Sequence, residues 1–222
     1  MFYYDSDVIV MARTNMGPGY LCIGAYDIGR KKNIRLLNDG GGKQLSNFPY
    51  YVGDRIIASY MEADIKRITA PHTEDVHLLK HDIYKKHRIE KLAESIKSNL
   101  DVIRGDIFSA FSGRLSREIE VDGLNRRLTS FHIPQGRAPN HSVCFWEADR
   151  DLSLTFNDYD KQAYIYRNGD GGIAYIPFIG SHNPRLEIKK GEIVRLSLAR
   201  WWSPDPQNQP KRCQLQLSGC YH

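Results

Sequence analysis

The 222-residue chain has no apolar run near the roughly 18–20 residues that a membrane-crossing helix needs, which argues against a helical membrane protein. Its four cysteines, Cys22, Cys144, Cys213 and Cys220, include no C-x-x-C pair. That spacing argues against a zinc ribbon or a dithiol redox motif and favours buried free thiols. Cys213 and Cys220 with His222 come nearest to a ligand cluster, and a structural zinc site needs a tighter one. The chain also lacks the Gly-x4-Gly-Lys-Ser/Thr phosphate loop and the Gly-x-Ser-x-Gly nucleophile elbow. Residues Met1 to Val10 have no basic leader and carry Asp5 and Asp7, so a strand is expected there rather than a signal peptide. A cytoplasmic protein is the expectation, with no membrane partner and neither cofactor nor metal.

Apolar and aromatic residues are plentiful: 41% of the chain is hydrophobic, with 13 Tyr and 8 Phe, enough to fill a core and to argue against long disorder. The formal charge of +5 is spread as net +1 over residues 1–80, +3 over 81–142 and +1 over 143–222. Strong electrostatic binders of nucleic acid concentrate their charge, and this chain does not announce such a face.

The first third is expected to be strands: Val8 to Ala12, Tyr20 to Ile28, Asn33 to Leu37, Val52 to Met61 and Val76 to Leu79, with the turn Asn38-Asp39-Gly40-Gly41-Gly42 between. From Lys85 to Leu100 the apolar positions Ile89, Leu92, Ala93, Ile96 and Leu100 fall at helical spacing, with Asp82 as a possible N-cap. A second short helix is expected from Asp106, burying Ile107, Phe108, Ala110 and Phe111. Leu115 to Asn140 is basic, broken by Pro and Gly, and expected to be a connector. Strands return at Ser142 to Trp146, Leu152 to Phe156, Ala163 to Arg167, Ile173 to Phe178, Ile193 to Leu198 and Gln214 to Leu217, with a hairpin turn at residues 167–172. The organisation is mainly β with a helical insert, two small barrels at the ends: an N-terminal one over 1–84, a helical segment and connector over 85–141, and a C-terminal one over 142–222.

One internal echo stands out. Gly53-Asp54-Arg55-Ile56-Ile57-Ala58-Ser59 parallels Gly191-Glu192-Ile193-Val194-Arg195-Leu196-Ser197: glycine, acid, then a strand with serine at the seventh place. A further strand follows each after a Pro-containing loop.

With Val8-Ile9-Val10-Met11-Ala12-Arg13-Thr14-Asn15, Gly19-Tyr20-Leu21-Cys22-Ile23-Gly24-Ala25, the Arg35 strand, the Gly53-Asp54 strand, Leu196-Ser197-Leu198-Ala199-Arg200-Trp201-Trp202 and Cys213-Gln214-Leu215-Gln216-Leu217-Ser218-Gly219, the chain resembles the dual OB-containing domain family of prokaryotes. Pro18 departs from the simpler turn expected before Tyr20. The resemblance implies two OB-like β-barrels and a part in nucleic-acid transactions, often in antiviral defence, and implies no catalytic site.

OB barrels hold single strands with aromatic platforms beside a basic groove. The candidate nucleic-acid-binding residues are Arg13, Asn15, Tyr20, Arg35, Lys43, Arg195, Arg200, Trp201 and Trp202. Two adjacent tryptophans in an extended segment point to opposite sides, so one of Trp201 and Trp202 is expected off the core. Lys43 beside the triple glycine offers a possible phosphate contact through flexible backbone amides. The partner expected is single-stranded nucleic acid, within a larger complex. Two alternatives belong to other classes. One is a protein-interaction adaptor. The other is a metal-dependent nuclease, using Glu147, Asp149 and Asp151, or Asp170 with Glu187 and Lys189. His77, His81 and His87 are unevenly spaced for a rigid metal site, and His141 is too close in sequence to Cys144 to argue a catalytic pair.

Overall fold

The computed structural model describes residues 3–64, 69–85, 90–121, 127–157, 160–169, 172–203 and 205–222. The chain is mainly β and divides into two compact units. One comprises residues 1–100 with 180–182 and 221–222, the other 101–179 with 183–220. The helical middle is therefore no separate body: its first part joins the first unit and the remainder the second.

In the first unit, strands β1 (Tyr3–Asn15), β2 (Tyr20–Asp27), β3 (Lys32–Leu37), β4 (Gln44–Leu45), β5 (Arg55–Glu62) and β6 (Asp75–Lys85) follow one another. β1 pairs antiparallel with both β2 and β5, β2 with β3, and β5 with β6, while β3 and β6 run parallel. The circuit β1-β2-β3-β6-β5 returns to β1 and closes a five-stranded barrel. Closure leaves no long unpaired edge. Period-two alternation decides which residues fill it. Leu21, Ile23 and Ala25 of β2 join Val8, Val10, Ile34, Leu36, Ile56, Ala58, Tyr60, Val76 and Leu78 in one core, while Tyr20, Cys22 and Tyr26 take the outer face.

A hydrogen-bonded knot anchors the β2–β3 hairpin. Buried Asp27 accepts hydrogen bonds from the Tyr60 hydroxyl and, at 2.9 Å, from the Arg30 amide. Arg30 stacks on the Tyr4 ring at 3.8 Å and pairs with Glu62. Tyr60→Phe strips a donor from a buried carboxylate, and the expected loss is about 1–3 kcal/mol in urea unfolding. Burial, then the bond to Asp27, push the Tyr60 hydroxyl up to about 12. A pKa raised on folding favours the fold while the proton stays on. This contribution is complete below the unfolded tyrosine's pKa of about 10 and fades as pH rises to 12. A pH series of unfolding midpoints on wild type and Tyr60→Phe should show the variant losing less stability across that window.

Helix α1 (Glu90–Asn99) completes this unit, with Leu92, Ala93 and Ile96 buried. It begins later than the periodicity suggests. β6 runs on to Lys85, so Asp82, expected as an N-cap, lies within the strand opposite Ile57. Ile89 lies outside the described residues.

The second unit holds β7 (Val102–Ile103), β8 (Ser116–Val121), β9 (Arg127–Pro134), β10 (Val143–Glu147), β11 (Leu152–Phe156), β12 (Gln162–Arg167), β13 (Ile173–Pro177), β14 (Glu187–Ile188), β15 (Ile193–Leu198) and β16 (Arg212–Tyr221). They form one sheet in the order β14-β11-β12-β13-β9-β16-β15-β10-β7, with β8 paired to β9. The expected connector over 115–140 is instead the β8–β9 hairpin. Its alternation of Ile119 and Val121 with Glu118 and Glu120 is a strand pattern, which the density of charge obscured. Expected as a helix, residues 106–113 form a 3-10 turn over Ile107–Ser109, capped by the Asp106 carboxylate on the Phe108 amide. Left-handed backbone at Phe111, Ser112 and Gly113 then ends it, with Ile107, Ala110 and Phe111 still buried. In the 167–172 turn, the Asn168 amide donates to the Gly172 carbonyl at 2.8 Å. Asp170 and Gly171 are outside the described residues.

The echo read from sequence has a structural counterpart. Gly53 (φ +93°) donates to the Val10 carbonyl at 2.8 Å, and the Val10 amide to the Asp54 carbonyl at 2.9 Å. Gly191 (φ +86°) donates to the Ala148 carbonyl at 2.8 Å, and the Ala148 amide to the Glu192 carbonyl at 2.9 Å. Each acid also caps the residue three places back: Asp54 accepts from the Tyr51 amide at 2.8 Å and Glu192 from the Lys189 amide at 3.0 Å. One turn, with the positive φ that glycine tolerates, therefore introduces β5 and β15 alike.

Cys144 and Cys213 sit in the core of the second unit, and burial pushes both thiols up to about 12. The thiolate is the reactive form. Iodoacetamide at pH 8 should therefore leave Cys144 and Cys213 unmodified in the native protein and label all four cysteines in urea, as read by mass spectrometry.

Candidate nucleic-acid interface

One end of the first barrel gathers exposed aromatics and cations. The β1–β2 turn places Tyr20 at the start of β2, opposite Leu45 of β4. Both side chains are exposed, as are Asn15 and Met16. Lys43 reaches back to donate to the Met16 carbonyl at 3.0 Å, and its ammonium stands 5.6 Å from the centre of the Tyr20 ring. Arg13, displaced in register by a bulge between Val10 and Ala12, turns towards the segment that follows β4. Its guanidinium donates to the Phe48 carbonyl at 2.9 Å and to the Tyr50 carbonyl, and lies 4.7 Å from the Tyr51 ring. Phe48 and Tyr50 are buried beneath, while Tyr51 is 68% exposed. Two open rings, each with a cation beside it, therefore share this end of the barrel. Leu45 and Met16 were not among the candidates from sequence, and Tyr51 was one of five first-half tyrosines (Tyr20, Tyr26, Tyr50, Tyr51 and Tyr60) offered as stacking rings without being chosen as a contact. The signal that could have singled out Tyr51 is the capped turn, because the buried Asp54 bonds its amide and fixes its place.

The nine candidates from sequence do not form one site. Arg13, Asn15, Tyr20 and Lys43 belong to the end just described. Arg35 lies on β3 of the same barrel, but both arms of its guanidinium engage Asp75. Burial works against its charge, and the Asp75 bonds outweigh that and hold its pKa up. Arg195 is a correction: it is 4% exposed within β15 and donates to the Ser218 hydroxyl at 2.9 Å, so it cannot reach a ligand at the surface. Arg200, Trp201 and Trp202 lie in the second unit. Arg200 is exposed, Trp201 packs against the core, and Trp202 is 54% exposed with Arg212 5.8 Å from its ring. The two tryptophans thus part to opposite sides.

The triple-glycine turn is not an anion cradle. Gly40 donates to the Asp39 carboxylate, Gly41 to the Asn38 carbonyl and Gly42 to the Asn38 side chain, all within 2.7–2.9 Å. The amides that would meet a phosphate are already spent, and the turn carries an acid of its own.

The acids considered for metal chemistry hold basic side chains. Glu147 faces Arg104, Asp149 faces Arg150, and Lys189 lies between Asp151 at 3.1 Å and Glu187 at 2.7 Å. The Lys189 ammonium occupies the place between the carboxylates that a cation would take. Among the described residues no group of three or more His, Cys, Asp or Glu could hold a metal ion. No helix among them is long and apolar enough to cross a membrane. Comparison with family models, curated proteins and solved structures returns no match.

Proposed function

We propose that the chain is a recognition module for single-stranded nucleic acid, with its contact surface at the Tyr20–Tyr51 end of the first barrel. The observation that carries this reading is the pair of exposed rings with Lys43 and Arg13 beside them. Stacking on such rings is tolerant of sequence, and the cations offset phosphate charge. The barrel's strand order, with parallel β3 and β6, is compatible with an OB fold, in which the second and third strands and the loop after the first carry the ligand. Tyr20 follows that loop directly.

The second unit is, in the same proposal, an interrupted barrel of the same kind. Its matched Gly-acid turn supports this, as does the parallel bridge between Phe178 and Leu217, which stands where β3 meets β6 in the first unit. The resemblance to dual OB-containing proteins of prokaryotic defence adds the expectation of work within a larger complex. Gel-shift titration of the full chain with single-stranded DNA and RNA across a salt series tests the reading. Binding that weakens steeply as salt rises is expected. No binding to either at low salt overturns it.

Exposed Leu186 and Phe156 favour a second reading, a protein-interaction adaptor. Leu186 is 83% exposed and its carbonyl bonds the Leu154 amide, two residues from Phe156, which is 59% exposed. Under that reading the gel shift shows no strand binding, and Leu186→Ser with Phe156→Ser lowers partner capture. For the nuclease alternative, labelled DNA with Mg²⁺ or Mn²⁺ is expected to stay uncut. Cleavage abolished by Asp149→Ala with Asp151→Ala would reverse that expectation.

A further inference from the structure

Helix α1 and the outer wall of the first barrel flank a half-open cavity of about 400 Å³. Its barrel side is Ile9, Met11, Tyr26, Ile28, Lys31 and Arg55, and its helix side presents Ser95, Ser98 and Asn99 among Leu92, Ile96 and Leu100. This volume lies in the range of small-molecule sites, which combine an apolar wall with a few convergent polar groups.

The charge of the lining has one sign. It contains two cations, Lys31 and Arg55, and no carboxylate. Arg55 shares its charge with Asp7. The run Arg30-Lys31-Lys32 divides at this point. Arg30 and Lys32 both pair with Glu62 at 2.9 Å, on either side of Lys31 in sequence. Lys31 makes no ion pair among the described residues and lines the cavity. Its backbone is left-handed (φ +51°), a conformation that a lysine adopts against its preference. The β2–β3 turn thus holds a strained, exposed lysine that contributes to the lining of the cavity.

We propose that this cavity binds a mononucleotide, its flat ring against Tyr26 and the apolar wall, its phosphate at Lys31 and Arg55, and its hydroxyls towards Ser95, Ser98 and Asn99. None of Arg13, Tyr20, Lys43 and Tyr51 is in its lining. Tyr20 and Tyr26 share the outer face of β2 but stand six residues apart, about 20 Å along the strand. It does not rest on the strand-binding reading.

The test is calorimetric titration of the full chain with AMP, GMP, CMP and UMP, and separately with adenosine and with inorganic phosphate. Saturable binding of at least one nucleotide is expected, tighter than either part alone. Lys31→Asn removes the charge and suits the left-handed backbone, because asparagine tolerates it. It should weaken binding tenfold or more while the melting temperature holds. Ser95→Trp, which fills the cavity, should abolish binding. Tyr20→Ala with Tyr51→Ala should leave it unchanged. The proposal falls if no nucleotide saturates in the millimolar range, or if Lys31→Asn and Ser95→Trp both leave binding intact. It also falls if the tyrosine pair abolishes mononucleotide binding, which would place the nucleotide on the strand surface. Failure of the wild-type chain to bind any oligonucleotide at low salt would sink the strand reading and leave this one standing.

Discussion

Replacing Tyr20 and Tyr51 together by alanine is expected to lower the affinity for single-stranded oligonucleotides at least 30-fold. Each base stacked on an aromatic side chain contributes about 1–3 kcal/mol, so two rings account for about 2–6 kcal/mol, and 2 kcal/mol is roughly 30-fold. Tyr51 is 68% exposed and Tyr20 46%, so their removal costs the fold little. The melting temperature should hold while binding falls, which separates loss of contact from loss of structure. Lys43→Gln adds a second discriminating measurement. Lys43 stands beside Tyr20 at the surface, and removing one phosphate contact should lower the slope of log affinity against log salt by about 1. Fluorescence anisotropy with a labelled oligonucleotide across a salt series reads both effects. An unchanged affinity in the double variant would dismiss this end of the barrel as the contact surface.

Trp146→Ala is expected to be the most damaging single change to stability. Trp146 is fully buried in β10, its ring packs near Tyr166, and its indole N–H donates to the Gly105 carbonyl at 2.9 Å. Truncating a buried tryptophan to alanine costs about 3–5 kcal/mol through lost burial and the cavity left behind. It also leaves the Gly105 carbonyl without its donor. Total stabilities run to only about 5–15 kcal/mol, so this is a large share. Urea unfolding followed by far-ultraviolet circular dichroism should show the midpoint falling sharply. Trp146→Phe keeps most of the apolar volume, forfeits the hydrogen bond, and should lose clearly less. Equal losses in the two variants would mean that the indole N–H, rather than packing, dominates.

Much of the strand content was legible because period-two burial leaves a trace in sequence. Leu21, Ile23 and Ala25 alternate with Tyr20, Cys22 and Tyr26, and the expected strands Leu152 to Phe156 and Ile193 to Leu198 match β11 and β15. The Gly53-Asp54 and Gly191-Glu192 echo was legible for a different reason. Both turns need positive φ at one residue and a carboxylate at the next, and those demands narrow the choice of residue. The β8–β9 hairpin was hidden, since its charged residues resemble those of a connector.

The site was legible only in part. Arg13, Asn15, Tyr20 and Lys43 could be named in advance, yet nothing along the chain marks Arg195 as buried or Arg35 as held by Asp75, forty residues away. A side chain's availability depends on what the fold brings to it, and alternation reports only which way it points.

By itself the sequence determined a β-rich chain without a helical membrane span, a repeated Gly-acid turn, an amphipathic helix and a supply of aromatics beside cations. These are local properties, written in periodicity and in the backbone demands of single residues. Only the tertiary structure decided that the first sheet closes through β1 and β5, that Tyr51 joins Tyr20 at one end, and that Lys31 lines a cavity beneath α1 while its neighbours pair with Glu62. Those outcomes rest on contacts between residues distant in the chain, and such contacts follow from strand register and burial rather than from neighbouring residue types.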